Sequence, residues 1–124
     1  MKKAAGCLKI KGKLCRSACP ITNTLDLIGD KWTLLIIRDM LFLNQKTFNE
    51  FLKSPENIAT NILTDRLKRL EEHGIIERQP MQKCPSRHEY VLTTRGKNLK
   101  PLLLELIRWG KTHIDGTSQI LFPE

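Results

Sequence analysis

The chain has 124 residues, of which 21 are Lys or Arg and 13 are Asp or Glu, so its formal net charge is +8. This length predicts one domain with a modest core and excludes an enzyme with a separate cofactor domain. Charged residues interrupt the longest apolar runs, at Arg38-Asp39 and at Glu105, so no membrane span is expected. Lysines also occupy the place of a signal peptide's apolar segment, which predicts a cytoplasmic location.

The positive charge is concentrated at the amino terminus. Residues 1–16 contain no acidic group and six basic ones, namely Lys2, Lys3, Lys9, Lys11, Lys13 and Arg16. Such an arm suits a polyanion, because neutralised phosphates release counterions, although a solubilising tail has the same composition. We predict three parts: a flexible basic arm over 1–17, a folded domain over 18–114 and a tail over 115–124.

The four cysteines are interpreted as thiols, because a cytosolic chain does not use a disulfide scaffold by default. Cys19 stands just before a predicted helix that Thr22 or Asn23 could cap, and Arg16 lies three residues earlier. A helix start and a nearby cation both favour the thiolate, which makes Cys19 a candidate redox sensor. The alternative is a small buried hydrophobic residue. No role is assigned to the other three cysteines.

A helix-turn-helix is predicted from the next elements in chain order. A short helix over Leu25–Ile28 ends at Gly29, and Asp30 can cap a second helix from about Lys31 to Leu43. Thr47 can cap a third helix, with Phe48, Phe51 and Leu52 facing inward, and a turn over 54–57 leads to a fourth. The expected buried stripe of the second helix is Trp32, Leu35, Ile36, Met40 and Leu43.

The fourth helix is the predicted recognition helix. Its apolar residues recur at steps of three and four: Ile58, Ile62, Leu63, Leu67 and Leu70. The opposite side is polar, and we define it as the recognition face: Thr60, Asn61, Thr64, Asp65 and Lys68. Short amide and hydroxyl side chains can meet base edges in a major groove while Lys68 meets phosphate, although an ordinary solvated face shows the same pattern. Arg66, beside the stripe, is expected to pair with Glu71 or a neighbour, and Gly74 to end the helix.

Two strands follow, over Ile75–Pro80 and Arg87–Leu92, joined by a polar tip over 82–86. A β-hairpin directly after a recognition helix is a wing. Arg78, Lys83 and Arg87, together with His88, make it basic and suited to a phosphate backbone or a neighbouring minor groove. A surface hairpin without a partner is the alternative.

A long helix is predicted from about Arg95 to His113, with Thr93-Thr94 as its cap and Pro101 kinking or restarting it. Its apolar band is too wide for one small domain to cover: Leu99, Leu102, Leu103, Leu106, Ile107, Trp109 and Ile114. We interpret the surplus as a dimer interface. The fold class is therefore mainly α with a small β-hairpin wing, the N- and C-terminal helices forming the dimer interface.

Several motifs together resemble the HxlR family of bacterial and archaeal winged helix-turn-helix regulators, in the MarR-like group. They run from Cys19-Pro20 and Leu27-Ile28-Gly29-Asp30-Lys31-Trp32 through Phe48-Asn49-Glu50-Phe51-Leu52, Leu63-Thr64-Asp65-Arg66-Leu67, Leu70-Glu71, Gly74-Ile75-Ile76-Glu77-Arg78 and Tyr90-Val91-Leu92-Thr93 to Trp109-Gly110.

The resemblance implies a homodimer on double-stranded operator DNA, with paired recognition helices in successive major grooves, wings alongside and no cofactor. Several family members sense electrophiles or oxidants through a Cys placed as Cys19 is. The chain departs from the family at Ala59, where a Ser often caps the recognition helix, so Asn57 or Thr60 is expected to cap it here.

Two other classes remain open. Cys15-x3-Cys19 and Cys84-x3-His88 have spacings that a structural zinc site could use if the arm and the wing met. A winged helix can also bind proteins without reading DNA. An enzyme is not expected, because the sequence has no Gly-rich phosphate loop, no His-x-x-x-His pair and no recognisable Ser, His and acid set, and so no catalytic residue is assigned.

Overall fold

The computed structural model describes residues 17–117, which form six helices and one antiparallel hairpin. In chain order the elements are α1 (Pro20–Ile28), α2 (Lys31–Phe42), α3 (Phe48–Leu52), α4 (Thr60–Glu72), β1 (Ile76–Pro80), β2 (His88–Leu92), α5 (Thr94–Lys97) and α6 (Lys100–His113). This order confirms the mainly helical fold with a hairpin. The predicted arm apart from Ser17, including Cys7, Cys15 and Arg16, and residues 118–124 of the predicted tail lie outside the described residues. Within the described residues, no helix has the length and apolar character needed to cross a membrane.

Helix α1 begins earlier than predicted, because Cys19 is its N-cap and Pro20 its first residue. Proline suits this position, since its fixed φ is helical and its missing N–H would have no partner there. The predicted caps, Thr22 and Asn23, are therefore wrong. The Asn23 side-chain amide instead donates backward to the carbonyls of Ser17, at 3.0 Å, and Cys19, at 2.9 Å. The helix ends as predicted, with the Gly29 N–H donating to the Leu25 carbonyl at 2.7 Å.

Helix α2 has the predicted cap but a wider buried side than the predicted stripe. One oxygen of Asp30 accepts from the N–H groups of Trp32, at 2.9 Å, and Thr33, at 3.1 Å. Ile36 and Met40 are buried as expected, whereas Trp32, Leu35 and Leu43 are only half-buried. The difference arises because α2 packs against both α4 and β2, so other residues are covered too: Thr33, Ile37, Arg38 and Asp39.

Helix α3 is short and is stabilised by its cap. The Thr47 hydroxyl accepts from the Glu50 N–H at 3.2 Å, and the Glu50 carboxylate accepts from the Thr47 N–H at 3.1 Å. This reciprocal capping box satisfies two N–H groups that a five-residue helix would leave unpaired. Phe51 is fully buried, and Phe48 and Leu52 are half-buried, as the sequence predicts.

The hairpin forms with each strand starting one residue later than predicted, Ile76 lying opposite Leu92 and Pro80 opposite His88. Gly74, with φ +75°, makes the turn between α4 and β1. The N–H of Tyr90 on β2 donates to the Lys46 carbonyl at 2.8 Å, and the Tyr90 ring lies 6.3 Å from the Phe51 ring. These contacts fix the wing, residues 76–92, beside α3.

The predicted last helix is two helices. Thr93 caps α5, its hydroxyl accepting from the Gly96 N–H at 3.2 Å. The chain then breaks at Asn98 and Leu99, and Pro101 lies in the first turn of α6, which confirms a restart there. The core joins α1, α2, α3, α4, the start of β1 and α6. Its buried residues are Ile28, Ile36, Ile37, Met40, Phe51, Ile58, Leu63, Leu67, Leu70, Ile75, Ile76 and Leu103.

Candidate DNA interface

Helix α4 separates an apolar side from a solvent-facing side. Leu63, Leu67 and Leu70 are buried against the core. The whole predicted recognition face is exposed: Thr60, Asn61, Thr64, Asp65 and Lys68. The structure therefore places these five side chains where a duplex could reach them.

The start of α4 differs from the expectation. Its N-cap is Ala59, which has no side chain able to cap, and Thr60 is already the first helical residue. Asn57 does not cap either, because its φ of +58° and its N–H bond to the Ser54 carbonyl, at 3.1 Å, place it in the preceding turn. The expected cap by Asn57 or Thr60 is therefore wrong. The first N–H groups of α4 receive no side-chain cap and are oriented for an external acceptor.

The polar groups of α4 are engaged to different degrees. The Thr64 hydroxyl donates to the Thr60 carbonyl at 2.9 Å, which leaves its oxygen available as an acceptor. Asp65 accepts from Arg66 at 2.5 Å and lies 4.0 Å from Arg69. In the part of the chain that the structure describes, the side chains of Thr60, Asn61 and Lys68 form no hydrogen bond or ion pair with the rest of the protein. These three side chains are therefore the members of the recognition face that are available to bind another molecule.

Arg66 forms an ion pair, as expected, but not with Glu71. Its Nε donates to Asp30 at 3.0 Å and its Nη1 to Asp65 at 2.5 Å. Asp30 is thereby both the cap of α2 and a partner of α4. Burial disfavours the ionised carboxylate of Asp30, but hydrogen bonds from Thr33 and the charge of Arg66 outweigh it and lower its pKa.

A partly buried ion cluster, formed by Arg38, Asp39 and Glu56, holds the connection that precedes α4. Arg38 donates from Nη1 and Nη2 to the two oxygens of Glu56, at 2.7 and 2.8 Å, and from Nε to Asp39 at 2.9 Å. The hydrogen bond from Arg38 lowers the pKa of Glu56, whereas burial raises the pKa of Asp39. From the sequence alone, Arg38-Asp39 is interpreted only as an interruption of an apolar run. Two adjacent charges inside a helical apolar stripe were the available signal.

The basic side chains of the wing are exposed, and three of them border a cleft. Arg78, Lys83, Arg87 and His88 all face solvent. The cleft, about 420 Å³, separates the wing from the start of α3 and is lined by Thr47, Phe48, Asn49, Arg78, Met81, Arg87, His88 and Tyr90. Lys83, at the hairpin tip, is not among its lining residues. Asn49 is exposed beside the arginines, a placement that its sequence position alone did not indicate.

The Cys19 thiol is exposed in the single chain, so it is not a buried hydrophobic residue within one subunit. Its side chain makes no capping hydrogen bond. The backbone N–H and hydroxyl of Thr22, followed by the N–H of Ile21, nevertheless lower the pKa of Cys19. Cys84, at the wing tip, is half-buried, with its Sγ 3.5 Å from the Ser86 hydroxyl. Among residues 17–117 no cluster of potential metal ligands is present, and Cys15 of the zinc alternative lies outside them.

An apolar surface runs along α1 and α6. Its exposed members are Ile21, Leu25, Leu102, Leu106, Trp109 and Ile114. A groove of about 340 Å³ between the two helices has an almost wholly apolar lining: Pro20, Ile21, Thr24, Leu25, Ile28, Leu34, Leu102 and Leu106. Exposed surface of this kind marks a contact with another molecule.

Comparison with known proteins gives consistent matches over this part of the chain. A family model described as HxlR-like helix-turn-helix matches residues 27–118. The uncharacterized HTH-type transcriptional regulator sll1512 of Synechocystis sp. is 37% identical over 100 residues, covering 81% of this chain and 73% of that protein. The crystal structure of PA1607 has a TM-score of 0.74 at 40% identity, covering 83% of this chain and 72% of that one. The redox regulator HypR in its oxidized form has a TM-score of 0.69 at 36% identity, covering 78% and 99% respectively.

Proposed function

Because this chain belongs to the HxlR-like helix-turn-helix family of transcriptional regulators, we propose that it binds operator DNA sequence-specifically as a homodimer. The observation that carries the proposal is the recognition face of α4, fully exposed over a buried row of leucines. In each subunit, α4 lies in a major groove and the wing lies against the neighbouring backbone. Two half-sites about one helical turn apart match the two-fold symmetry of a dimer.

Each residue of the face has a role suited to its chemistry. Asn61 can pair with adenine through its amide, and Thr60 and Thr64 contribute hydroxyl contacts to bases. Asp65 can accept from a cytosine amino group, because Arg66 already offsets its charge. Lys68 binds phosphate, as do three residues of the wing, Arg78, Lys83 and Arg87. The cleft between the wing and α3 places the side chains of Arg78 and Arg87 beside Asn49.

Two substitutions separate base reading from phosphate binding. Lys68→Gln should weaken binding to every duplex and reduce the slope of log affinity against log salt by about one. Asn61→Ala should cost about 1–3 kcal/mol on the preferred site and relax preference at particular base pairs. Selection of bound duplexes from a random pool, followed by titrations at several salt concentrations, measures both effects.

Lys100→Gln is the matched control, since Lys100 is exposed at the start of α6 rather than on α4. It should lower affinity less than Lys68→Gln does. If the Lys68 and Asn61 variants both bind like the unmodified chain, the recognition face is wrongly assigned.

The homodimer proposal rests on the apolar surface of α1 and α6. Leu102 and Leu106 belong to α6 and line the groove against α1, and both side chains are substantially exposed. A second copy of the chain would cover this surface by a two-fold contact, in which each α6 and α1 meet their counterparts. The contact would also hold two recognition helices at a fixed separation, as an operator with two half-sites requires.

Leu106→Glu should produce a monomer. Leu106 is 49% exposed in one subunit, and a carboxylate there would lose its water in the interface without a partner. Sedimentation or light scattering should show the mass halved, and affinity for a two-half-site duplex should fall. Leu104→Glu is the control, because Leu104 is 46% exposed and lies about half a turn away from Leu106. If Leu106→Glu stays dimeric, this surface is not the interface.

We also propose that Cys19 makes DNA binding responsive to oxidants or electrophiles. The exposed thiol has a lowered pKa and lies at the start of α1, one of the two proposed interface helices. The redox regulator HypR is similar to this chain over 78% of its length. An oxidant that takes two electrons and two protons from a pair of thiols would form a disulfide, either between the Cys19 residues of the two subunits or between Cys19 and a different Cys. Either disulfide would move α1 relative to α6. The two recognition helices would then change their separation.

Cys19→Ser should keep DNA binding but abolish its response to an oxidant such as diamide. Affinity is measured with and without the oxidant, and non-reducing electrophoresis detects a crosslinked dimer. Cys84→Ser is the control, because Cys84 lies on the wing and should leave the response intact. A Cys19→Ser protein that still responds would place the sensor at another cysteine.

A further inference from the structure

The carboxylate of Asp30 connects the corner between α1 and α2 with the recognition helix α4. It lies directly between α1 and α2, where α1 carries Cys19 and part of the proposed interface. Its Oδ1 caps α2, and its Oδ2 accepts hydrogen bonds from the Thr33 hydroxyl and, at 3.0 Å, from Nε of Arg66. Arg66 is 36 residues away in sequence and belongs to the recognition helix.

The Arg66 side chain is held rather than offered to solvent. Its guanidinium is bound by two carboxylates, those of Asp30 and Asp65, and the side chain is only 22% exposed. A planar guanidinium fixed at Nε and Nη1 has a defined orientation, which a single flexible ammonium contact would not give. Among residues 17–117, the ion pairs that join α4 to the α1–α2 corner all involve Asp30, through Arg66 and, at 4.0 Å, Arg69.

We propose that Asp30 is a positioning residue for DNA recognition: its bond to Arg66 fixes the recognition helix against the corner between α1 and α2. The inference rests on the proposed function, because it assigns Asp30 an effect on DNA affinity without a contact to DNA. The apolar contacts of Leu63 and Leu67 bind α4 to the core by burial, which is not directional, so a directional contact can further restrain the rotation of the helix. The directional hydrogen bond from Arg66 to Asp30 supplies that restraint.

The ion pair between Asp30 and Arg66 also allows a movement of α1 to change the position of the recognition helix. Gly29 is the one residue between α1 and Asp30, so a shift of α1 displaces the cap of α2 and the acceptor of Arg66 together. Coupling through a positioning contact of this kind changes affinity by about 3- to 30-fold.

A double-mutant cycle on the full chain tests the proposal. Asp30→Asn removes the charge that binds Arg66 but keeps an N-cap of similar quality for α2. Arg66→Met removes the guanidinium and keeps an apolar stem beside the core. Dissociation constants are measured for both single variants and the double variant, at several salt concentrations, on a duplex that the unmodified chain selects from a random pool. Binding is measured at a temperature at which circular dichroism shows that every variant is folded.

We expect each single variant to bind about 3- to 30-fold more weakly and the double variant to bind no more weakly than either single one. The salt slope should stay unchanged, because no phosphate contact is lost. Glu105→Gln is the control for the charge change, since it removes one exposed carboxylate from α6 and should not weaken binding.

Three outcomes would overturn the proposal. Additive losses would mean that Asp30 and Arg66 act independently. A reduced salt slope in Arg66→Met, with Asp30→Asn binding as well as the unmodified chain, would make Arg66 a phosphate contact. Unchanged binding by Arg66→Met, a variant in which the α2 cap is intact, would show that the link is structural only. If the unmodified chain selects no duplex at all, the proposed function itself has failed, and that result is separate from these.

Discussion

The Arg38→Met variant should have a much lower unfolding temperature than a variant in which a surface arginine is replaced by methionine. The Arg38 and Asp39 side chains are only 9% and 4% exposed, so removing the guanidinium leaves a buried carboxylate without its partner. Breaking a buried ion pair in this way costs about 3–5 kcal/mol of the free energy of unfolding. Thermal and urea denaturation followed by circular dichroism measure the loss.

The same substitution should also weaken DNA binding by the protein that remains folded. Arg38 holds Glu56 with two hydrogen bonds, and Glu56 lies in the connection between α3 and the recognition helix. Without them the connection is less restrained, and α4 is presented to DNA in more than one position. Measuring affinity well below the unfolding temperature separates this effect from the loss of stability.

Two further variants check the physical cause. Arg108→Met breaks an ion pair on α6 in which both side chains are mostly exposed, so it should leave the unfolding temperature nearly unchanged. Combining Arg38→Met with Asp39→Leu should recover much of the stability, because an apolar residue replaces the unpaired charge. If the double variant is as unstable as Arg38→Met alone, the buried carboxylate is not the cause.

The stability difference between Arg38→Met and the unmodified protein should narrow as the pH falls from about 7 toward 4. Arg38 lowers the pKa of Glu56, so ionised Glu56 stabilises the unmodified protein at any pH above the ordinary pKa of a carboxyl. This stabilisation is lost as the pH falls below that value and through the lowered pKa. The pKa of Asp39 is raised by burial, and loss of Arg38 raises it further. Protonation of Asp39 at low pH therefore removes the unpaired buried charge that destabilises the variant. A difference that widens in acid would contradict this reasoning.

Gly96→Ala should destabilise the protein although alanine is the better helix former. A Cβ at position 96 would lie 2.3 Å from the Ile75 carbonyl oxygen and 2.8 Å from a methyl group of Leu92. The Ile75 oxygen also accepts the Thr93 N–H at 3.0 Å, so α5 and the start of β1 cannot separate without losing that bond. We expect a loss of about 3 kcal/mol, or roughly 10–20 °C in unfolding temperature, measured by calorimetry.

Gly110→Ala makes the same chemical change inside α6, where no atom beyond the adjoining backbone of the helix lies within 4 Å of the added Cβ. It should stabilise the protein by about 0.5–1 kcal/mol, since alanine loses less backbone entropy than glycine in a helix. If the two variants change the free energy of unfolding in opposite directions, the loss in Gly96→Ala is due to the contact with Ile75. Equal signs would mean that helix propensity alone governs both positions.

Sequence patterns predicted most elements because their signals are local. Asp30 and Thr47 cap the helices that follow them, and Gly74 adopts the positive φ that ends the recognition helix. Pro101 restarts the last helix as its missing N–H requires. The start of α1 was misplaced because Pro20 outweighs the hydroxyl and amide side chains that follow it.

By itself, the sequence determined the order of the helices, the hairpin and the exposed row on α4, since caps, leucine spacing and turn residues act within a few positions of the chain. Only the tertiary structure decided the distant partners of the buried and half-buried charges. Arg38 reaches Glu56 across 18 residues and Arg66 reaches Asp30 across 36. Each arginine has acidic residues closer in sequence, and the packing of α2 against α4 determines which distant carboxylate comes within hydrogen-bond distance.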